Sequence, residues 1–202
     1  TGTRLLRGAP GSKVSLLVLR GTTVDPHLVE ITREAISGEL GTGKRLPGGE
    51  GYVRLNTFRP GAAAEISKQV DALRAAGAAG TIIDLRGIAD GTADEAIAAA
   101  RPFIKTGVLA TLAGRGTERS VTSAAAGDGA VTSPVVLMVS NGTANAAEIF
   151  AAALQGNHRA ELVGEPTTGL AAVQRLVTLP ENHGLWMTYA RYLAADAKPI
   201  HE

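Results

Sequence analysis

The 202-residue chain has no cysteine, which excludes a thiolate metal site and a cysteine nucleophile. Aromatic residues make up only 3% of the sequence, so alanine, valine, leucine and isoleucine must fill most of any core. No apolar run approaches the roughly 18 residues that a membrane-spanning helix needs. The net charge of +1 gives no electrostatic reason to expect nucleic acid as a partner.

The polar residues that often bind metals are also sparse. Only four histidines are present, and their positions show no ligand spacing (His27, His158, His183 and His201). We therefore expect neither a metal nor another cofactor. A chain of this length buries roughly 70% of its unfolded surface, so its core needs no metal for stability.

The first fifty residues are predicted to contain short, loosely connected elements. Residues 5–8 resemble a helix end that stops at the glycine, and apolar residues alternate with polar ones over residues 12–20, as in a strand. The composition of residues 25–37 favours a helix. Residues 38–51 contain six glycines in fourteen positions, which predicts a flexible loop.

From residue 51 onward, predicted strands alternate with predicted helices. A continuous apolar run over residues 134–140 predicts a strand buried on both faces. Helices are predicted over residues 62–76, 92–103 and 145–155. The remaining predicted strands are residues 51–58, 81–86, 159–163, 173–179 and 185–190, of which the last two are expected to pair as a hairpin. Residues 108–122 predict one or two short strands with a glycine-rich turn. This alternation favours an α/β fold with its site where strands lead into helix starts.

Four segments occur in an order and spacing that resemble one family. They are GYVRLNTF at 51–58, DLR at 84–86, GTANAAEI at 142–149, and VGEPTTG at 163–169 with VQ at 173–174. Together they resemble the C-terminal processing, or tail-specific, serine peptidases, which use a Ser–Lys dyad. The small residues before Asn145 are similar to that family's nucleophile turn.

The resemblance implies a fold and a domain organisation. It implies a crotonase-like or ClpP-like core built of β-β-α units. Residues 6–8 and 12–20 resemble the last helix-to-strand segment of the PDZ module that these enzymes carry. We therefore expect a PDZ remnant over residues 1–22 and the peptidase-like core over residues 23–202.

The resemblance places the catalytic positions on residues that can act neither as the nucleophile nor as the base of the dyad. The family nucleophile falls on Asn145 and the family lysine on Leu170, and the glutamine that holds the lysine survives as Gln174. An asparagine amide is a poor nucleophile, and leucine cannot accept the proton that a buried neutral lysine would take. We therefore expect no catalytic residue at these positions.

The surroundings of the dyad are changed as well. Gly91 and Ala146 match the oxyanion region, but an acidic residue, Asp90, precedes the glycine and would oppose a developing negative charge. A family aspartate on the following helix is replaced by Gly156. Several simultaneous replacements favour a natural loss of activity over a single engineered one.

A relocated nucleophile is the alternative. Thr143 and Ser140 both carry hydroxyls near the expected site, and the available bases are Lys105, Lys198 and His158. None of these bases stands at a spacing that indicates pairing. Ser140 and Thr143 are therefore expected to satisfy backbone groups at a strand-to-helix turn.

The resemblance and these replacements lead to two functional hypotheses. The first is a pseudoprotease that retains a groove for protein or peptide segments, or for an apolar small molecule, without cutting them. The alternative is an active serine-type endopeptidase that cleaves protein C-terminal regions with a relocated nucleophile. An oligomer fits either hypothesis, and the family implies a periplasmic or cell-envelope location.

Overall fold

A computed structural model describes residues 6, 8–19, 26–34, 38–180 and 183–200. The backbone divides into two units, Thr1–Gly38 and Glu39–Glu202. The first unit contains an antiparallel hairpin of β1 (Lys13–Val18) and β2 (His27–Thr32). β1 confirms the strand predicted over residues 12–20, whereas the predicted helix end at residues 5–8 lies mostly outside the described residues.

The helix predicted over residues 25–37 is wrong where the structure describes it, because His27–Thr32 is a strand. Val29, Ile31 and Thr32 are β-branched and favour extended backbone. The register then pairs every residue of β2 with one of β1, and Lys13 contacts Glu30 at 2.6 Å across the strands. Cross-strand pairing therefore outweighed the weak local helix preference.

The second unit contains a five-stranded sheet with three helices beside it. In spatial order its strands are β3 (Gly41–Arg45), β4 (Gly51–Leu55), β5 (Thr81–Asp84), β8 (Val135–Val139) and β9 (Glu161–Gly164). β3 is antiparallel to β4, and the other neighbours are parallel. The helices are α1 (Ala62–Ala75), α2 (Ala93–Ala100) and α3 (Ala146–Gly156).

A second, antiparallel sheet completes this unit. It contains four strands in the spatial order β10 (Ala172–Thr178), β11 (Gly184–Leu193), β6 (Val108–Gly114) and β7 (Thr117–Ser123). These elements confirm the α/β class and the predicted hairpin near the end of the chain. None of the described helices has the length and apolar character needed to cross a bilayer.

The loop predicted over residues 38–51 is wrong in part, because β3 occupies its centre. The glycines there are required by close packing: a Cβ on Gly41 would lie 3.0 Å from the Arg54 carbonyl oxygen. A Cβ on Gly43 would overlap the side chain of Gln69 on α1. Glycine in this strand marks close approach of neighbouring groups, not flexibility.

The core lies on the faces of the parallel sheet and is mostly aliphatic, as expected. Its exceptions are Phe58, Phe103 and Phe150, which are the three phenylalanines of the chain. The Phe150 ring lies 5.5 Å from that of Phe58 and 6.1 Å from that of Phe103, measured between centroids. The three phenylalanines are thus grouped where α3 packs on the sheet.

A buried carboxylate joins the carboxyl ends of β4 and β5. Asp84 is 1% exposed; it contacts Arg54 at 2.8 Å and Arg86 at 2.7 Å, and it accepts a hydrogen bond from the Tyr52 hydroxyl at 2.6 Å. Burial alone would raise the Asp84 pKa, but the hydrogen bonds from Arg86 and Tyr52 and the charge of Arg54 outweigh it. The pKa of Asp84 therefore lies well below its usual value of 3.8.

The Asp84 cluster makes stability depend on pH. Because the folded protein binds this proton more weakly than the unfolded chain, the stabilisation is complete above the unfolded-chain pKa and declines as pH falls below it. We expect Asp84→Asn to lower the free energy of unfolding at pH 7 by about 3 kcal/mol. The difference should narrow at pH 3 in urea denaturation, whereas Asp71→Asn, at an exposed ion pair on α1, should change little at either pH. A gap of equal size at both pH values would contradict this account.

Candidate functional site

The turn between β8 and α3 is built on two hydroxyl groups. Thr143 is fully buried; its Oγ1 donates to the Leu85 carbonyl at 3.0 Å and accepts from the Ser140 N–H at 3.0 Å. The Oγ of Ser140 accepts from the N–H groups of Gly87 and Gly142 at 3.2 and 3.3 Å. Both hydroxyls therefore attach this turn to the end of β5, as expected for backbone-satisfying residues.

None of the bases predicted for a relocated dyad forms a described hydrogen bond with the Ser140 or Thr143 hydroxyl. Lys198 forms an ion pair with Asp196 at 3.0 Å, and His158 follows α3 in a left-handed conformation with φ of 54°. Within the described residues, neither the Ser140 nor the Thr143 hydroxyl has a lysine or histidine among its hydrogen-bond partners. The geometry gives no support to a relocated dyad.

Asn145 occupies the junction between that turn and α3. Its backbone has φ of 52° and ψ of −116°, a strained combination that is uncommon outside glycine. Its side-chain Nδ2 donates to the Ala89 carbonyl at 2.8 Å. The side-chain amide at the family's nucleophile position is thus held by a hydrogen bond.

A buried carboxylate connects Asn145 to the segment that contains Leu170. Glu148 is 1% exposed, and its Oε2 accepts from the backbone N–H groups of Asn145 and Leu170, each at 2.9 Å. Its Oε1 accepts from the Thr167 hydroxyl at 2.6 Å and from the Gly169 N–H at 2.5 Å. Four donors therefore satisfy one carboxylate and fix both segments to the start of α3.

Four of the five residues predicted for the site line one cavity of about 330 Å³: Asn145, Gln174, Gly91 and Ala146. The Leu170 side chain is 47% exposed and lines an adjacent cavity of about 410 Å³. The two cavities share Ala171 and Ala172. Leu170 therefore lies beside the Asn145 cavity and does not line it.

The oxyanion region keeps its backbone geometry. Gly91 has φ of +114°, and a Cβ there would overlap the backbone of Phe58, so only glycine fits. The N–H groups of Gly91 and Ala146 have no acceptor among the described residues, and both residues line the Asn145 cavity. Asp90 turns away from the predicted position: its carboxylate accepts from the Thr57 hydroxyl at 2.8 Å, and it does not line this cavity.

Sequence comparison identifies the family. The profile of peptidase family S41 matches residues 49–202. The chain belongs to peptidase family S41. A carboxyl-terminal-processing protease of Synechocystis is 36% identical over 98% of the chain, and the carboxy-terminal processing protease CtpA of Bacillus subtilis is 33% identical over 98%.

These alignments cover 47% and 42% of the two relatives, so the S41 chain spans about half of their length. The structure is similar to that of a photosystem II D1 C-terminal processing protease, with a TM-score of 0.71 and 27% identity. That match covers 96% of the S41 chain and 54% of the other protein. The predicted family and its ClpP-like core are confirmed, while the PDZ remnant over residues 1–22 stays a prediction.

The part that Glu148 plays in the S41 site was not predicted from the sequence. An acidic residue in the first turn of a helix is usually explained by the helix dipole. The available signal was the position of Glu148 three residues after Asn145, which is the spacing of a capping box. The contacts with Thr167, Gly169 and Leu170 could not be predicted, because two of those donors are backbone groups.

Replacing Glu148 tests this connection. Glu148→Gln puts an amide N–H₂ where one oxygen now accepts two hydrogen bonds, so at least one buried donor loses its partner. We expect the free energy of unfolding to fall by about 2 kcal/mol. Glu161→Gln, at an exposed position on β9, should change it by less than about 0.5 kcal/mol. Chemical denaturation of both variants measures the difference, and equal effects would contradict the assigned contacts.

Proposed function

We propose that this S41 homologue binds extended polypeptide segments in its groove and does not cleave them. The observation that carries the proposal is the pair at the dyad positions, Asn145 and Leu170, on segments that Glu148 connects. Cleavage by a Ser–Lys dyad requires a hydroxyl nucleophile and a neutral amine to take its proton. Neither side chain can supply these groups.

The local contacts favour this proposal over an active enzyme with a relocated nucleophile. Thr143 is fully buried, and both its donor and one acceptor site are used. The Ser140 oxygen accepts from two backbone N–H groups. A hydroxyl that attacks a carbonyl needs a base within hydrogen-bond reach, and neither residue has one among its described partners.

A polypeptide is the ligand that suits the shape of the site. The Asn145 cavity is bordered by β10, which is an edge strand of the antiparallel sheet. An extended chain adds readily to such an edge through main-chain hydrogen bonds. The N–H groups of Gly91 and Ala146 offer donors for a peptide carbonyl in the same cavity. The related proteins are named for processing the carboxyl ends of polypeptides.

Further parts of the proposal rest on the lining of the cavity or on the family. An apolar small molecule is the second ligand class, because alanine and isoleucine side chains line the Asn145 cavity. Assembly into an oligomer and a periplasmic or cell-envelope location are also proposed. Size measurement in solution and localisation in cells test these two points separately.

The central test compares the protein with an Asn145→Ser/Leu170→Lys variant on an unstructured protein substrate, with fragments followed by mass spectrometry. The parent should leave the substrate intact, because residual acceleration of roughly 10³–10⁴ over water is too small to see in a day. The variant should produce fragments at a rate that rises with pH, since only the neutral lysine accepts a proton. Residue 170 is half-exposed, and water stabilises the charged form of an amine. A lysine at this position should therefore need a higher pH to become neutral.

Peptide binding by the parent is measured in parallel by fluorescence anisotropy. Saturable binding without fragments supports the proposal, and fragments from the purified parent would overturn it. In that event Ser140→Ala and Thr143→Val identify the hydroxyl responsible. If neither the parent nor the double variant binds the peptide, the proposed groove is contradicted as well.

A further inference from the structure

A separate cavity of about 420 Å³ lies against the antiparallel sheet. Three arginines line it: Arg115 from the turn between β6 and β7, Arg175 from β10, and Arg191 from β11. Tyr189 and Met187 line it as well. We call this the arginine cavity. It is distinct from the cavity that contains Asn145, and no S41 dyad position lies in it.

The lining of the arginine cavity is strongly basic. None of the described aspartates or glutamates lines it. Within the part of the chain that the structure describes, Arg115 and Arg175 form no ion pair. The Arg175 guanidinium lies over the Tyr189 ring, 5.1 Å from its centroid, which restrains the group while leaving its edge N–H donors available. The positive charges of Arg115 and Arg175 at one concave surface attract an anion, and guanidinium groups match the two oxygens of a carboxylate.

Strands β10 and β11 contribute residues to both the arginine cavity and the groove. Gln174 lines the Asn145 cavity and the next residue of β10, Arg175, lines the arginine cavity, so the two side chains lie on opposite faces of the strand. Thr188 and Arg191 of β11 line both the arginine cavity and the cavity beside Leu170. A polypeptide paired with the β10 edge has side chains that alternate between the two faces, so one of them would lie beside Gln174 and the next beside Arg175.

From this arrangement we infer that the arginine cavity binds a carboxylate of the polypeptide held in the groove. The inference rests on the proposed function, since it takes the ligand to be a peptide strand beside β10. The carboxylate belongs either to an acidic side chain or to the end of the chain. Both present the same chemistry to Arg115 and Arg175, and the experiment separates them.

The experiment measures anisotropy of fluorescein-labelled, unstructured peptides that differ in one group. One pair differs by aspartate against asparagine, and the other by a free against an amidated carboxyl end. For at least one pair, the acidic peptide should bind about tenfold more tightly than its neutral partner at about 50 mM salt, and the preference should shrink as salt rises. The pair that shows the preference identifies the source of the carboxylate.

An Arg115→Gln/Arg175→Gln variant should abolish that preference and leave the affinity for the neutral peptide unchanged. Both side chains are exposed, so thermal unfolding should match the parent. Replacement of the same residues by lysine should restore part of the preference, because lysine keeps the charge without the planar fork. Arg45→Gln, at an exposed position of β3 in the other sheet, is the matched control and should keep the full preference.

The outcomes separate the two proposals. Binding of neutral and acidic peptides with equal affinity would overturn the carboxylate site and leave the groove proposal standing. An acidic preference that survives the double substitution would also overturn it. Failure of every peptide to bind would overturn the proposed function, and with it the inference that depends on it.

Discussion

The geometry of the site depends on the hydrogen bonds that the buried Glu148 carboxylate accepts. Burying a carboxylate is strongly unfavourable unless donors replace the water that it loses. Here the replacement comes from the Asn145 N–H, the Thr167 hydroxyl and the N–H groups of Gly169 and Leu170. Three of these four donors are backbone groups. The positions of residues 145 and 170 are therefore fixed by the main chain, whatever side chains they carry.

This constraint separates the framework of the site from its chemistry. A substitution of the nucleophile or the base leaves the donors of Glu148 in place, so the turn before α3 and the segment after β9 keep their arrangement. Gly91 is restrained independently, because Phe58 leaves no space for a Cβ. A protein of this family can thus lose hydrolysis and keep a groove with its backbone donors. Retention of a groove is accordingly weak support for retained catalysis.

The sequence predicted the elements whose signals are local. The apolar run of β8 and the helical spacing of α1 and α3 come from burial by neighbouring layers, which leaves a clear pattern. β3 was missed because its glycines are explained by close contacts with the Arg54 carbonyl and the Gln69 side chain, which come later in the chain. β2 was missed because its partner strand decides its conformation. Three of the four partners of Glu148 are 19 to 22 residues away, and two of these three are backbone groups, whose contacts leave no mark in residue type.

The arginine cavity could not be predicted from the sequence either, because it depends on contacts between residues that are distant in the chain. Arg115, Arg175 and Arg191 are separated widely along the chain and each follows ordinary strand or turn residues. The antiparallel pairing of β10 with β11, and of β11 with β6, brings them to one surface. A carboxylate held there while the peptide backbone pairs with β10 would fix the register of the chain relative to Asn145. Recognition of the polypeptide would then depend on charge and strand register, neither of which needs a serine or a lysine at the dyad positions.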